Sequence, residues 1–394
     1  MVEIGSSCTE QSLIKLIRQG EIYEPNYLGN KDILVIGSKI ARIEEHIEIS
    51  PDMKELEVID ASKCLVFPGF IDGHLHFIGA GGRRGPSSRA REISPTMLIR
   101  AGLTTVIGFL GMDNTSRHIP TLVMKAKGLR AQFLNAYVLV GSYVIPPPTL
   151  TGSIEWDLTL IEEVIGLKMA VGEPAASHPS EEEIIRSIAE VQRGGLLSGK
   201  TGVVVIHMGD AGGEWFHKMQ DILKKTSLPI EKVMFTHVSR NKQILEEAAE
   251  YALSGGFIDL TANHSPPHRP KAVPVPEALS QLWKQGVPTS QITVSSDGNA
   301  TRLLDDGRIV PSPIDSVFEQ IIATIRRGCD IAEALRPVTI NPAVRYGLQD
   351  RKGSLVQGKD ADFILLSKDL QLLDLYSNGR CLMRRGEVLI MDYL

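Results

Sequence analysis

Two histidines, His74 and His76, lie two positions apart at the end of the apolar segment LVFPGFIDGHLHF. Alternate side chains of a β-strand point to the same face, so this spacing lets both imidazoles bind one metal ion. The pair alone is weak evidence, because a His-x-His pair occurs more often at ordinary surface or core positions than in a metal site. A metal site therefore requires further ligands from elsewhere in the chain.

Three more candidate ligands lie near the ends of other apolar runs: His207 in VVVIHMG, His237 in MFTHV and Asp297 in ITVSSDG. When parallel strands close into a barrel, their carboxyl ends converge at one mouth, where the catalytic groups of such barrels lie. Imidazole and carboxylate are ligands that suit Zn²⁺. The pattern therefore predicts a metal-dependent enzyme whose site is assembled from several strand ends.

Lys168 interrupts the otherwise apolar predicted strand VIGLKMAV. A buried and unpaired ammonium is costly, so the side chain either reaches solvent at the strand end or carries a neutral amine. A neutral amine can capture carbon dioxide and become a carbamate, whose oxygens are able to bridge two cations. We favour this N6-carboxylated lysine because of the candidate ligands around it.

Together these residues predict a site for two divalent metal ions, which we expect to be Zn²⁺. Two adjacent ions can share a hydroxide at neutral pH, and such a hydroxide can attack an amide carbonyl. Asp297 can take the proton of that hydroxide and pass it to the leaving nitrogen. The predicted metal ligands are His74, His76, Lys168, His207, His237 and Asp297.

The elements that must position these residues alternate between strand-like and helical patterns. There are eight apolar strand candidates between residues 65 and 299, and helical segments fill several of the gaps between them. In one of these segments Ser180 and Glu183 form a capping-box pattern. Eight such units predict an α/β fold with a TIM (β/α)8 barrel over residues 67–346. Short strand-like runs flank the barrel. We expect residues 1–66 and 347–394 to build one small β-sandwich domain from both chain ends.

Composition narrows the class of protein. The chain has 394 residues, 43% of them hydrophobic and 23% charged, and its formal net charge of -5 gives no reason to expect nucleic-acid binding. The four cysteines, Cys8, Cys64, Cys329 and Cys381, contain no CxxC pair, which is typical of a reducing compartment. The amino-terminal region lacks a signal-type apolar core and a run long enough to span a membrane. We therefore expect a cytoplasmic protein without a membrane or nucleic-acid partner, acting on a small molecule.

Several longer segments resemble the amidohydrolase superfamily and, within it, the bacterial isoaspartyl dipeptidases: PGFIDGHLHFIGAGG, GGLLSGKTGVVVIHMGD, THVSRN, SSDGNAT and GSLVQGKDADFILL. The resemblance covers most of the chain. It implies a homo-oligomeric enzyme that hydrolyses the amide bond of β-aspartyl dipeptides. It also implies that His74 and His76 hold one ion, that His207 and His237 hold the other, and that carboxylated Lys168 bridges them. Asp297 would bind the first ion and act as base and acid.

The same resemblance implies a set of substrate contacts. Tyr143 would polarise the scissile carbonyl, and Arg240 would bind a substrate carboxylate through its planar guanidinium. The alternatives are a packed aromatic side chain for Tyr143 and a solvated surface arginine for Arg240. Gly81 would offer backbone contacts and Thr301 a hydroxyl group.

Three positions depart from the dipeptidase pattern. Arg83 stands where the family has a glutamate for the substrate's α-amino group, Ala175 replaces a second arginine, and Met112 replaces a threonine. Arg83 would repel an α-ammonium but could pair with a substrate carboxylate, although Glu173 could substitute for the missing glutamate. These departures leave open an amidohydrolase that acts on an N-acyl amino acid or on a cyclic amide such as hydantoin or dihydroorotate. A non-catalytic scaffold is a further alternative, against which the complete ligand set argues.

Overall fold

A computed structural model describes residues 11–50, 55–210, 213–264, 269–304 and 306–392 of the chain. The first ten residues of the predicted β domain, with Cys8, and its last two residues lie outside the described residues. The amino-terminal strands are β1 (Ile14–Tyr23), β2 (Tyr27–Ile36), β3 (Lys39–Glu44), β4 (Leu56–Asp60) and β5 (Cys64–Pro68).

Eight parallel strands then form a nearly closed barrel, as predicted. They are β6 (Phe70–Leu75), β7 (Leu103–Gly108), β8 (Asn135–Gly141), β9 (Val164–Val171), β10 (Val203–Met208), β11 (Val233–Thr236), β12 (Phe257–Thr261) and β13 (Ile292–Ser295). The strands pair in chain order from β6 to β13, and a parallel bridge between Leu75 and Gly298 joins the two ends. The eight apolar runs of the sequence thus correspond to the eight barrel strands.

Helices cover the outside of the barrel. They are α1 (Pro95–Arg100), α2 (Ile119–Ala131), α3 (Ile154–Leu160), α4 (Glu181–Ser198), α5 (Gly213–Thr226), α6 (Lys242–Leu253), α7 (Val275–Lys284), α8 (Ser316–Arg326), α9 (Ile331–Leu335) and α10 (Ile340–Arg345). Short 3-10 helices span Pro86–Ser88, Ile230–Lys232, Thr289–Gln291 and Arg336–Val338. The predicted capping box is present, since Ser180 and Glu183 bond reciprocally at the start of α4. Among the described residues, no helix has the length and apolar character needed to cross a bilayer.

Burial of both faces explains why the barrel strands read as continuous apolar runs. Every residue of β9 is buried, because helices cover its outer face and the barrel interior covers its inner face. A polar residue within such a strand, as Lys168 is in β9, is therefore enclosed by the fold.

The remaining strands are a hairpin, β14 (Thr301–Leu303) with β15 (Ile309–Pro311), and β16 (Phe363–Ser367), β17 (Leu372–Ser377), β18 (Arg380–Arg384) and β19 (Glu387–Val388). Strands from both chain ends form one mostly antiparallel sheet of nine strands, in the order β19-β18-β17-β16-β5-β1-β2-β3, with β4 beside β1. The prediction that both ends build one β unit is confirmed. The domain boundaries at residues 66 and 346 stay a prediction.

Candidate active site

The six predicted ligand residues all lie at the carboxyl end of the barrel strands. His74, Lys168 and His207 belong to β6, β9 and β10, while the other three follow strand ends directly or within two residues: His76, His237 and Asp297. Five of the six are buried, and the side chain of Asp297 is 17% exposed toward the mouth. The fold therefore brings together residues that span more than 220 positions of the sequence.

A first potential metal-binding group consists of His74, His76 and Asp297. Asp297 Oδ1 lies 3.3 Å from His74 Nε2 and 3.2 Å from His76 Nε2. Lys168 Nζ lies 3.4 Å from His74 Nε2 of the same group. Two imidazoles and a carboxylate are a donor set that fits a divalent transition metal.

A second group consists of His237, His264 and Asp297. His264 was not predicted from the sequence, although it stands only three residues beyond the end of β12. His207 belongs to neither group found among the described residues. Its ring instead lies within 3.0 Å of Tyr143 Oη, with its centroid 4.6 Å from that of His237.

Hydrogen bonds at the Nδ1 atoms leave the Nε2 atoms of the histidines available for a metal ion. His76 Nδ1 donates to the carbonyl oxygen of Phe109 over 3.1 Å, and His237 Nδ1 lies 2.8 Å from Thr261 Oγ1. His74 Nδ1 bonds to Thr236 Oγ1 over 3.2 Å. Such partners fix the tautomer and the ring orientation of metal-ligating histidines.

Two buried carboxyl groups below the histidines were missed by sequence reasoning. Asp259 accepts hydrogen bonds from the hydroxyls of Thr236, Thr293 and Ser295 over 2.6 to 2.8 Å, and burial raises the pKa of Asp259 to about 6. Asp72 accepts hydrogen bonds from the backbone N–H groups of His74 and Ser296, and burial raises its pKa to about 7. Asp72 thus ties the end of β6 to the end of β13.

Lys168 is enclosed rather than solvated. Its side chain is 1% exposed, and Nζ lies 4.5 Å from the centroid of the Phe109 ring. Burial lowers the pKa of Lys168 to about 7, although the charges of Asp297 and Asp259 oppose this shift. The alternative in which the lysine reaches solvent at the strand end does not hold.

The backbone at the mouth is strained at two predicted ligands. His237 has a φ of +68° and Asp297 a φ of +53°, a region that residues other than glycine rarely adopt. Such conformations persist only where the surrounding structure imposes them, and they cluster at functional sites.

The pocket above these residues has a volume of about 950 Å³, and all five predicted substrate contacts line it. Tyr143, Arg240, Gly81, Thr301 and Arg83 all line it. Gly81 has a φ of +93°, and a Cβ there would lie 2.2 Å from the carbonyl oxygen of Ser88 and 2.8 Å from the Thr301 side chain. Only glycine fits at this close approach.

Tyr143 and Arg240 are buried side chains of the pocket wall, not surface groups. Burial raises the pKa of Tyr143, so its phenol stays protonated and able to donate. Arg240 Nη1 donates to Asp210 Oδ1 over 2.8 Å, while its Nε has no hydrogen-bond partner among the described residues.

The three departures from the dipeptidase pattern have different surroundings. Arg83 Nη1 pairs with Glu173 Oε1 over 2.8 Å, and both side chains line the pocket. Met112 lines the pocket and, with Ala175, packs against the small apolar cluster that contains Tyr143. Of the three departures, Arg83 is the one that carries a charge, and the carboxylate of Glu173 compensates it.

Comparisons with known proteins agree with this architecture. The amidohydrolase family model matches residues 65–389. A crystal structure of β-aspartyl dipeptidase from Fervidobacterium islandicum AW-1, in complex with the β-Asp-Leu dipeptide, is 35% identical, covers 97% of this chain and 100% of its own, and superposes with a TM-score of 0.89. D-hydantoinase from a Thermus species is 17% identical, with coverages of 95% and 96% and a TM-score of 0.69, a likeness of fold alone.

Curated relatives match shorter parts of their own lengths. A dihydroorotase from Clostridium acetobutylicum is 35% identical over 127 residues, which are 30% of this chain and 28% of that protein. An adenine deaminase from Ruegeria sp. is 24% identical over 405 residues, with 95% of this chain and 58% of that protein covered. The chain therefore spans less than two thirds of either relative.

Proposed function

The chain belongs to the amidohydrolase family, and we propose that it is a hydrolase of amide bonds whose substrates are β-aspartyl dipeptides. The observation that carries this proposal is the full-length similarity to a β-aspartyl dipeptidase, combined with a mouth at which His74, His76 and Asp297 lie beside the enclosed Lys168. The similarity extends over the barrel and the sheet.

The proposed cofactors are two Zn²⁺ ions. His74, His76 and Asp297 would hold one ion, His207 and His237 the other, and the N6-carboxylate of Lys168 would join the two sets. The donor types support this assignment, as do the Nδ1 bonds that orient the histidines. Bound zinc would supply an activated water as the nucleophile and would polarise the scissile carbonyl.

The chain's own residues perform the proton transfers and hold the substrate. Asp297 is the one predicted ligand whose carboxylate is partly exposed to the pocket, so it can accept a proton from the attacking water and give it to the leaving nitrogen. Tyr143 donates a hydrogen bond to the scissile carbonyl as negative charge develops there. Arg240 binds a carboxylate of the substrate.

Glu173 is the proposed acceptor for the substrate's α-ammonium. Its side chain is 9% exposed, lies on the pocket wall and engages Arg83 through Oε1, while Oε2 lies 3.5 Å from His207 Nε2. Because Arg83 and Glu173 form a neutral pair, Arg83 does not present an isolated positive charge to an incoming dipeptide. The reversed charge at position 83 is thereby reconciled with a dipeptide substrate.

The test is a substrate screen with zinc-loaded protein in bicarbonate buffer. β-Asp-Leu should be hydrolysed faster than α-Asp-Leu, N-acetyl amino acids, hydantoin and dihydroorotate. Chromatography follows the release of aspartate from the dipeptides, of the free amino acid from the N-acetyl compounds, and of the ring-opened acids from the cyclic amides. Hydrolysis of an N-acyl amino acid or a cyclic amide in preference to β-Asp-Leu would establish the alternative specificity, which the departures at Arg83, Ala175 and Met112 leave open.

Two further properties are proposed, a cytoplasmic location and a homo-oligomeric state. The described cysteines Cys64, Cys329 and Cys381 are free thiols, which is typical of cytoplasmic proteins. The packed helices α3 and α4 expose four large apolar side chains, Trp156, Leu160, Leu196 and Leu197, which supports a homo-oligomer. Light scattering on the purified protein measures the oligomeric state.

A further inference from the structure

A second cavity, of about 640 Å³, opens beside the active-site pocket. Both are lined by Asp210, Arg240, Arg269 and Asp297, so the two cavities are neighbours that share a wall. We call this second space the side cavity. A substrate whose scissile bond lies at Asp297 and whose carboxylate contacts Arg240 has this cavity next to it.

The side cavity carries an excess of positive charge. Its cationic side chains are Arg240, Arg269, Lys271 and Arg302, and its carboxylates are Asp210 and Asp297. Asp297 already contacts two histidines, and among the described residues no carboxylate pairs with Lys271 or Arg302. The cavity is therefore electrostatically complementary to an anion.

Unpaired donors in the side cavity point to a missing acceptor. The Nε atoms of Arg240 and Arg302 are both buried, and neither has a hydrogen-bond partner among the described residues. Arg240 is only 6% exposed, so water does not readily satisfy it. Buried donors without acceptors are uncommon and unfavourable, so the protein's own acceptors leave these two guanidinium groups incompletely paired.

Asp210 occupies the position that such a carboxylate would take. Its Oδ1 lies 2.8 Å from Arg240 Nη1 and 3.4 Å from Arg269 Nη1. The Asp210 side chain is 75% exposed, so it can turn toward water when another carboxylate arrives. The two arginines are then left facing the side cavity with a charge and geometry that suit a carboxylate.

We propose that the side cavity binds the acidic side chain of the leaving residue, so that the enzyme prefers β-aspartyl dipeptides ending in glutamate or aspartate. This inference rests on the proposed function. The α-carboxylate of the leaving residue contacts Arg240, and its second carboxylate contacts Arg269, Lys271 and Arg302. We expect the preference to depend on charge rather than on size. A comparison of glutamate with glutamine isolates the charge, because the two side chains have nearly the same shape.

The experiment compares kcat/KM for β-Asp-Glu and β-Asp-Gln with zinc-loaded protein at low and high salt. The glutamate substrate should be favoured by about tenfold at low salt, the worth of one charge-assisted contact, and less at high salt. Lys271→Gln, at an exposed position, should reduce the ratio, and Arg269→Gln combined with it should bring the ratio close to one. The matched control Arg327→Gln removes an exposed charge directly after α8 that pairs with Glu277, and should leave the ratio unchanged. A wild-type ratio near one, or a ratio unaffected by the double variant, overturns the inference.

A binding measurement separates this inference from the proposed function. Calorimetry on the same zinc-loaded protein should detect free L-glutamate binding more tightly than L-glutamine, with the difference lost in the double variant. If glutamate binds in this way while no β-aspartyl dipeptide is hydrolysed, the proposed function is wrong, but the side cavity is still a binding site for an acidic side chain. If β-Asp-Leu is hydrolysed but neither glutamate nor β-Asp-Glu is preferred, the proposed function stands and the side cavity inference is wrong.

Discussion

Two consecutive hydrogen bonds connect the His74 ring through Thr236 to the buried carboxylate of Asp259. Its Nδ1–H donates to Thr236 Oγ1 over 3.2 Å, and the Thr236 hydroxyl donates to Asp259 Oδ2 over 2.7 Å. The carboxylate at the end of this chain fixes the direction of both bonds, so His74 Nε2 keeps its lone pair for an ion. The site is thus preorganised at the level of single side chains.

The role of Asp297 leads to a prediction about turnover. Asp297→Asn removes the group that accepts and returns a proton, while an amide oxygen still lies beside His74 and His76. We expect kcat to fall by at least ~100-fold, the lower end for acid–base catalysis, with a smaller change in KM. Steady-state kinetics on β-Asp-Leu, with metal content measured in the same preparation, check this outcome.

The control for Asp297→Asn is Asp306→Asn, which neutralises an exposed carboxylate paired with Arg308. This variant should retain wild-type kinetics. A rise in KM without a fall in kcat for Asp297→Asn would mean that the carboxylate binds substrate and does not transfer protons.

A second residue-scale prediction concerns Lys168. Lys168→Ala should lose activity and metal, because the proposed carboxylate that joins the two ligand sets is absent. Acetate or propionate, which would supply a carboxylate in the space left by the side chain, should restore part of both, whereas methylamine should restore neither. Activity and metal content measured against added acid provide the test, and an alanine variant with wild-type turnover would show Lys168 to be only structural.

At the scale of elements, the site depends on the close spacing of β9 and β10. Gly166 lies in β9, two residues before Lys168, and a Cβ at this position would be 2.2 Å from the carbonyl oxygen of Val203 in β10. Gly166→Ala must therefore push apart the strands that carry Lys168 and His207. We expect a loss of about 1 to 3 kcal/mol in the free energy of unfolding, as for other overpacked cores, together with a lower metal content.

Gly128 provides a matched control for this substitution. It lies within α2, and a Cβ there would meet no other atom within 4 Å. Gly128→Ala should increase stability by roughly 0.5 to 1 kcal/mol, because alanine favours the helix. Chemical denaturation of both variants tests the opposite signs, and a neutral or stabilising Gly166→Ala would refute the tight β9–β10 contact.

At the scale of the whole molecule, the sheet supports the barrel at the end opposite the active site. Asn135, the first residue of β8, donates a hydrogen bond to Asp362 Oδ2 over 3.1 Å and accepts one from Asn378 over 3.0 Å. Asp362 and Asn378 come from the carboxyl-terminal part of the chain. The mouth of the barrel is thereby left open for substrate.

Metal removal tests the two-ion site in the whole protein. We expect two Zn²⁺ ions per chain by elemental analysis, because the proposed ligand set exceeds what one four-coordinate zinc uses. A chelator should abolish hydrolysis and lower Tm, since an ion that binds only the folded state stabilises it by about 2.7 kcal/mol at 100 times its Kd. Zinc with bicarbonate should restore both. Full activity with one ion or none would contradict the two-ion mechanism.

The sequence by itself determined the barrel, the sheet built from both chain ends and the types of residue at the mouth. These features depend on local patterns, since an apolar run makes a buried strand and a polar residue at its end must face the mouth. Lys168 could be singled out for the same reason, because a charge within an apolar strand conflicts with its surroundings. The capping box at Ser180 is likewise encoded within four residues.

Only the tertiary structure decided which residues meet across the mouth. The pairing of Arg83 with Glu173, the place of His264 beside His237 and the sharing of Asp210 by two arginines all depend on the paths of loops. Partners in these contacts lie from about 30 to 90 positions apart, and no periodicity links them. The net charge around a bound substrate depends on which of these side chains are paired with one another. Specificity is therefore set by the folded loops, whereas the catalytic residue types can be read from the strands.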